Sequence, residues 1–191
     1  LGRASVGSEG ERTMPLRRTI SRDSPGWGPE ELQRVRRVLL ARLDPWSYWV
    51  AELPNEASGD LAVVGTTGAF VIAVCGLAGR FHVEGDRATV GGRPIRGLKG
   101  LRSEARRASG RLANAEVYSD AAPVACLSRA AAGAPIDVHG VRILALADLV
   151  SEITRRERVL QPSRARKGAE ALGTVLRSEL GGLAAPGAEK D

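Results

Sequence analysis

Aromatic, cysteine and histidine residues are scarce. Aromatics make up 4% of the 191 residues, with two cysteines and two histidines. Cys75 and Cys126 lie far apart with no Cys-x-x-Cys pair, and His82 and His139 are isolated. That pattern excludes a zinc site of ordinary spacing and a thioredoxin-like redox motif. Both cysteines sit in apolar, strand-like runs, so two buried, reduced thiols in a cytoplasmic protein are expected. Cys75 and His82 form the one nearby nucleophile-and-base combination, without a third group to orient it. Gly65, Gly68, Gly76 and Gly79 are not followed by Gly-Lys-Ser/Thr, so no phosphate-binding loop is present.

Charge is missing from residues 61–79. A membrane span needs about 20 apolar residues, but four glycines, Thr66, Thr67 and a central turn tetrapeptide interrupt this run. We therefore expect buried strands and no membrane partner. Residues 1–25 lack the continuous apolar stretch of a signal peptide and read as a disordered basic tail. Residues 181–191 read as a flexible C-terminal tail. The stretch between them, 26–180, with 43% hydrophobic content overall, suffices for one domain with a proper core.

Within that domain, Leu32, Val35, Leu39 and Leu43 recur at helical spacing, Pro29 suits a first-turn position, and Asp44-Pro45 ends the helix. A strand follows over 46–53. The β-branched runs 61–64 and 69–75, joined by Gly65-Thr66-Thr67-Gly68, form a hairpin of two buried strands. Residues 87–92 read as a small turn-rich addition and 98–115 as a basic helix. Val117 and 122–127 suggest a strand, and 136–138 and 141–146 are strands joined by a His139-Gly140 turn. Residues 146–154 and 163–180 are helical, with Ser163 as N-cap and Gly181-Gly182 as stop. The order of elements predicts an α/β sheet with helices on both faces.

The hairpin carries a family resemblance. Asp60, the strand through Val63-Val64-Gly65, Gly68, Phe70-Val71-Ile72 and Gly79-Arg80 together resemble the nuclease-related domain (NERD) family. Gly26-Trp27-Gly28-Pro29-Glu30 looks like that family's entry to its first helix, and the weaker likeness extends over about 26–180. The resemblance implies a restriction-endonuclease-like mixed sheet flanked by helices, with a core of helix, three strands, helix and strand. It places Asp60 at the first catalytic acid, Ala73 at the second acid and Cys75 at the lysine. Leu61 stands where a His often follows the first Asp. Glu30 or Glu31 falls at the family's helix-one acid; an acid at a helix N-terminus is also what the macrodipole favours.

These departures fall on the chemistry. In that fold class two carboxylates hold a divalent metal against the scissile phosphate, and the lysine helps activate water and offsets charge. The methyl of Ala73 cannot ligate a hard cation, and the Cys75 thiol is soft and neutral near its reference pKa of about 8.5. Losing preorganised charge stabilisation at one such position typically removes about 3–4 kcal/mol of transition-state stabilisation. No cofactor is expected. Mg or Mn enters only in the alternative, a nuclease rebuilt around Asp60 and Lys99 with a carboxylate from Glu84 or Glu104.

Basic residues are overwhelmingly arginine, a bias that a high-GC bacterial genome produces regardless of function. Location says more. Over 93–111 stand Arg93, Arg96, Lys99, Arg102, Arg106, Arg107 and Arg111 against Glu104 alone, an excess equal to the whole chain's net charge of +6. On a helix, Lys99, Arg102 and Arg106 share one face and Arg107 and Arg111 an adjacent ridge. Such a face can track phosphates, to which guanidinium groups bond in bidentate fashion. No aromatic interleaves it, so base stacking is unsupported there. Two readings follow from different classes: a catalytically degenerate domain that binds nucleic acid or a protein partner, and the rebuilt metal-dependent nuclease. A structural interaction protein with no nucleic-acid role is a third.

Overall fold

Residues 61–79 can do without charge because their strands are covered on both faces. The computed structural model describes residues 28–54, 60–130 and 133–176; the tails expected at 1–25 and 181–191 lie outside the described residues. The elements are α1 (Pro29–Arg42), β1 (Tyr48–Glu52), β2 (Leu61–Gly65), β3 (Gly68–Cys75), β4 (Phe81–Glu84), β5 (Arg87–Val90), β6 (Arg93–Pro94), α2 (Leu98–Asn114), β7 (Ala121–Leu127), β8 (Ile136–Val138), β9 (Val141–Ala145), α3 (Leu146–Thr154), α4 (Pro162–Leu172) and β10 (Thr174–Leu176).

Seven strands form a mixed sheet in the order β10-β1-β2-β3-β7-β9-β8. β1, β2 and β3 run antiparallel in sequence order; β7 lies parallel to β3, and β9 parallel to β7. Every residue of β2 and β3 is buried. Along β3, Ala69, Val71, Ala73 and Cys75 pack with residues of α2 and α4, while Phe70, Ile72 and Val74 pack with residues of α1 and α3. A strand buried on both faces reads as a continuous apolar run instead of an alternating one. Phe70 and Ile72 are fully buried, each contributing roughly 1.5–3 kcal/mol.

The helices follow from their sequences. Pro29 opens α1, with Glu30 and Glu31 in its first turn and Arg42 in its last, each favourable to the helix dipole. Val35 and Leu39, four residues apart, turn its buried face inward. Leu101, Ala105, Ala108 and Leu112 do the same for α2. His139 and Gly140 both have positive φ, the geometry of a tight two-residue hairpin between β8 and β9.

Four expectations need correction. The small addition is larger than 87–92: β4, β5 and β6 form a three-stranded antiparallel sheet. Its Ala88 and Val90 join the core beneath α2, and Gly79 fixes its base because a Cβ there would stand 2.8 Å from the Gly91 Cα. The first strand starts at Tyr48, because Pro45 and Trp46 belong to the turn after α1. Val117 is in no strand: it follows the turn that ends α2, and its N–H bonds to the Leu112 carbonyl. The last helix begins at Pro162 with Gln161 as N-cap instead of Ser163, and ends at Leu172. After Gly173 the chain turns into β10, whose Thr174, Val175 and Leu176 pair with Glu52, Ala51 and Val50. The proposed stop at Gly181-Gly182 lies outside the described residues.

Candidate functional site

Asp60 stands just before β2, at the edge of the β2–β3 pairing. Its backbone N–H bonds to the Ile72 carbonyl at 2.8 Å, and its Oδ2 accepts the Val74 N–H at 2.6 Å. The carboxylate thus ties the chain entering β2 to the backbone of β3. Ala73 and Cys75 flank Val74 and point the other way from it, into the core beneath α2, with 3% and 2% exposure. They line a cavity of about 10 Å³ closed by Ile95, Leu98, Leu101 and Ala125, with Arg96 and Gly97 at its edge. That volume is at the lower limit for one water. The donor set is a methyl and a thiol, and burial pushes the thiol's pKa up, opposed by a hydrogen bond from the Leu77 backbone. A hydrated divalent cation does not fit these residues.

Cys126 is on the neighbouring strand but faces the opposite side of the sheet. Burial, with a smaller contribution from Cys75, pushes its pKa up to about 12. Both thiols are free.

The acids available for a rebuilt site are dispersed. Glu104 is 3% exposed and fully engaged: Oε2 accepts Arg107 Nε and Nη2 at 2.9 and 2.6 Å, and Oε1 accepts Arg111 Nη2 at 2.6 Å. It is no solvated surface charge. Glu84 lies exposed on β4, opposite Arg87. Among the described residues no group of three His, Cys, Asp or Glu side chains is placed to hold a metal ion.

The basic face divides in two. Arg107 and Arg111 share Glu104, so one carboxylate offsets one of their two charges. Lys99, Arg102 and Arg106 lie exposed on the outer side of α2 and make no ion pair among the described residues. Arg102 runs beside the β8–β9 turn, its Cδ 3.8 Å from the Cβ position of Gly140. Arg93 is on β6 and Arg96 in the loop before α2, both exposed.

Sequence reasoning missed a second basic run, Arg155, Arg156, Arg158, Arg164, Arg166 and Lys167. Five of its members share three carboxylates, and Arg158 has no ion pair among the described residues. Buried Glu152 gathers Arg142, Arg155 and Arg156; Glu116 takes Arg164 and Lys167; Glu170 takes Arg166. The Lys167 hydrogen bond and charge, with Arg164, lower the Glu116 pKa. Arg34, Arg37 and Arg42 on the far side of the sheet, along α1, are also exposed without an ion pair among the described residues.

Also missed was the junction between α1 and β7. Ser128 Oγ lies 2.8 Å from Glu31 Oε2 and 3.3 Å from the Cys75 carbonyl, and its N–H bonds to that carbonyl at 3.0 Å. Glu31 Oε1 is 3.7 Å from Arg129 Nε. Beside this junction opens a cleft of about 440 Å³, whose lining includes Glu30, Glu31, Gly76, Leu77, Ala78, Arg93 and Arg129. No spacing signal marks it, because Ser128 and Glu31 are 97 residues apart.

No protein-family model matches the chain, and neither curated proteins nor solved structures give a significant match. No helix among the described residues is long and apolar enough to cross a membrane.

Proposed function

We propose that the chain is a catalytically degenerate nuclease-related domain that binds nucleic acid in the cytoplasm through the outer face of α2. The observation that carries this reading is Lys99, Arg102 and Arg106 standing exposed on one helix face with no ion pair among the described residues. The order α1, β1, β2, β3, α2, β7, with three antiparallel strands and a helical crossover to a parallel fourth, supports a restriction-endonuclease-like core. The filled, apolar corner at Ala73 and Cys75 supports the absence of hydrolysis.

Guanidinium and ammonium groups spaced along one face neutralise phosphates and release counterions, so affinity falls with salt. Contacts of this kind position a duplex without reading its sequence. Binding of a fluorescent duplex across a salt series, with Mn²⁺ present and DNA length measured afterwards, tests the reading. Intact DNA and salt-sensitive binding are expected. Shortened DNA that stays intact with Asp60→Ala protein would establish the rebuilt nuclease instead. No binding and no cleavage would leave a protein partner.

A further inference from the structure

Exposed apolar side chains are not spread evenly over the surface. Of the four large ones among the described residues, Trp46, Tyr118 and Val159 are 67%, 81% and 63% exposed, and all three belong to segments that meet at the β2–β3 turn. The Ser47 carbonyl accepts the Thr66 N–H at 3.0 Å, and the Thr66 carbonyl accepts the Val159 and Leu160 N–H groups at 2.7 and 3.0 Å. Ser119 Oγ and Val159 Cγ2 lie 3.6 and 3.9 Å from the Cβ position of Gly68. The register puts these contacts at one end of the sheet: Tyr48 is opposite Gly65, Gly65 opposite Gly68, and Ala69 beside Ala121. Trp46 precedes β1 and Tyr118 precedes β7, strands three places apart in the sheet and so about 14 Å from each other, with Val159 at the turn between them.

The segments are held in place. Asp44 accepts the Trp46 N–H at 3.2 Å and the Ser47 hydroxyl. Arg164 Nη1 donates to the Glu116 carbonyl and Lys167 Nζ to Glu116 Oε2, each at 3.0 Å, which fixes Glu116 at its positive φ two residues before Tyr118. Thr66 and Thr67 beneath are buried, so the segments cover the turn while their largest apolar side chains stand in water. Single exposed apolar residues need no explanation, whereas a gathered group marks an interaction surface. Aromatic anchors on preorganised backbone lower the entropic cost of association there.

The surrounding charge selects the occupant. Segments 44–48, 115–120 and 155–160 carry three arginines and four acids, a net of −1 in a chain of +6. Glu152, Arg164 and Lys167, which pair into them, bring the balance to zero. Arg158, Asp120 and Glu157 are exposed with no ion pair among the described residues. A polyanion would meet carboxylates here, and a strongly acidic or basic protein would find only half of its complement. An apolar centre bordered by free charges of both signs is complementary to itself, as a two-fold contact between identical chains requires. It is also where two copies of a cationic molecule approach without opposing like-charged faces.

We infer that two copies of the chain form a two-fold dimer through this end of the sheet, with Trp46, Tyr118 and Val159 at the centre and Arg158 of each copy facing the carboxylates of the other. The inference does not rest on the α2 reading.

Sedimentation equilibrium of the full chain over a concentration series tests it. A monomer–dimer equilibrium is expected, weakened roughly tenfold or more by Trp46→Ala or Tyr118→Ala and severalfold by Arg158→Glu. Thermal melts establish that these variants, changed at exposed side chains, remain folded. Arg158→Glu protein mixed with an Asp120→Arg, Glu157→Arg double variant should form mixed dimers more tightly than either protein dimerises alone. Monomer at every concentration, a dimer that both alanine variants leave unchanged, or a mixture no tighter than its components overturns the inference. A monomeric protein whose tryptophan fluorescence is quenched by single-stranded DNA only while Trp46 is present would assign the patch to bases, and overturns it equally.

Discussion

At the residue scale the carboxylate of Asp60 has a structural task. It accepts the Val74 N–H at 2.6 Å, so Asp60→Ala leaves a backbone donor in the β3 edge without that partner. A hydrogen bond to a charged group contributes about 1.5–3 kcal/mol, and we expect a loss of that order in urea unfolding, with Asp60→Asn losing less. An unchanged unfolding midpoint would contradict this role. The thiols give a pH prediction. A raised native pKa stabilises the fold below the unfolded thiol pKa, about 8.5, and that stabilisation is lost as pH rises toward the native value, about 12 for Cys126. Stability should therefore decline through this alkaline window, and a Cys126→Ala variant should show a shallower decline, measured by denaturant unfolding from pH 8 to 11. The closeness of Asp60 to the backbone of β3 was legible in the sequence because Asp60, Ala73 and Cys75 lie within sixteen residues of one hairpin. The Glu31–Ser128 junction was not, because a long-range hydrogen bond leaves no periodic trace.

The element that decides the functional reading is α2. Its length and exposed cationic face follow from spacing alone, but the fate of Glu104 does not. That residue sits at the border between buried and exposed faces, where a helical wheel cannot say whether a side chain folds inward onto Arg107 and Arg111. Glu104→Gln should weaken the fold by about 1–2 kcal/mol, a discounted figure because both arginines are partly solvated. It should also tighten DNA binding at low salt by freeing two guanidinium groups; weaker binding by folded protein would show that those arginines do not lie in the interface. Packing between α2 and α4 is equally specific. A Cβ at Gly168 would stand 2.9 Å from Leu112 Cδ2 and 3.2 Å from Val64 Cγ1, so Gly168→Ala should destabilise by about 1–3 kcal/mol through overpacking, read as a lowered melting temperature. The end of α4 escaped sequence reasoning because helical periodicity continues past Leu172; only β1, far earlier in the chain, supplies the partner that makes Thr174–Leu176 a strand.

Across the whole molecule the net charge of +6 is unevenly usable. Acids at positions 104, 116, 152 and 170 gather eight basic residues into ion pairs, while Lys99, Arg102 and Arg106 on α2 and Arg34, Arg37 and Arg42 on α1, on opposite sides of the sheet, are exposed with no ion pair among the described residues. The mixed α/β architecture and the coverage of both faces were legible from the alternation of apolar runs and amphipathic helices. The distribution of unpaired charge was not, because pairing is settled by tertiary contacts. The α1 face therefore serves as the internal control for the central claim. The most direct measurement is the slope of log K against log salt for duplex DNA with wild-type protein, with Lys99, Arg102 and Arg106 all changed to alanine, and with Arg34, Arg37 and Arg42 all changed to alanine. If α2 is the interface, the first triple variant should lower the slope by about 3 and bind far more weakly, while the second stays near wild type. Equal slopes in all three proteins, or a loss confined to the α1 variant, would contradict the account.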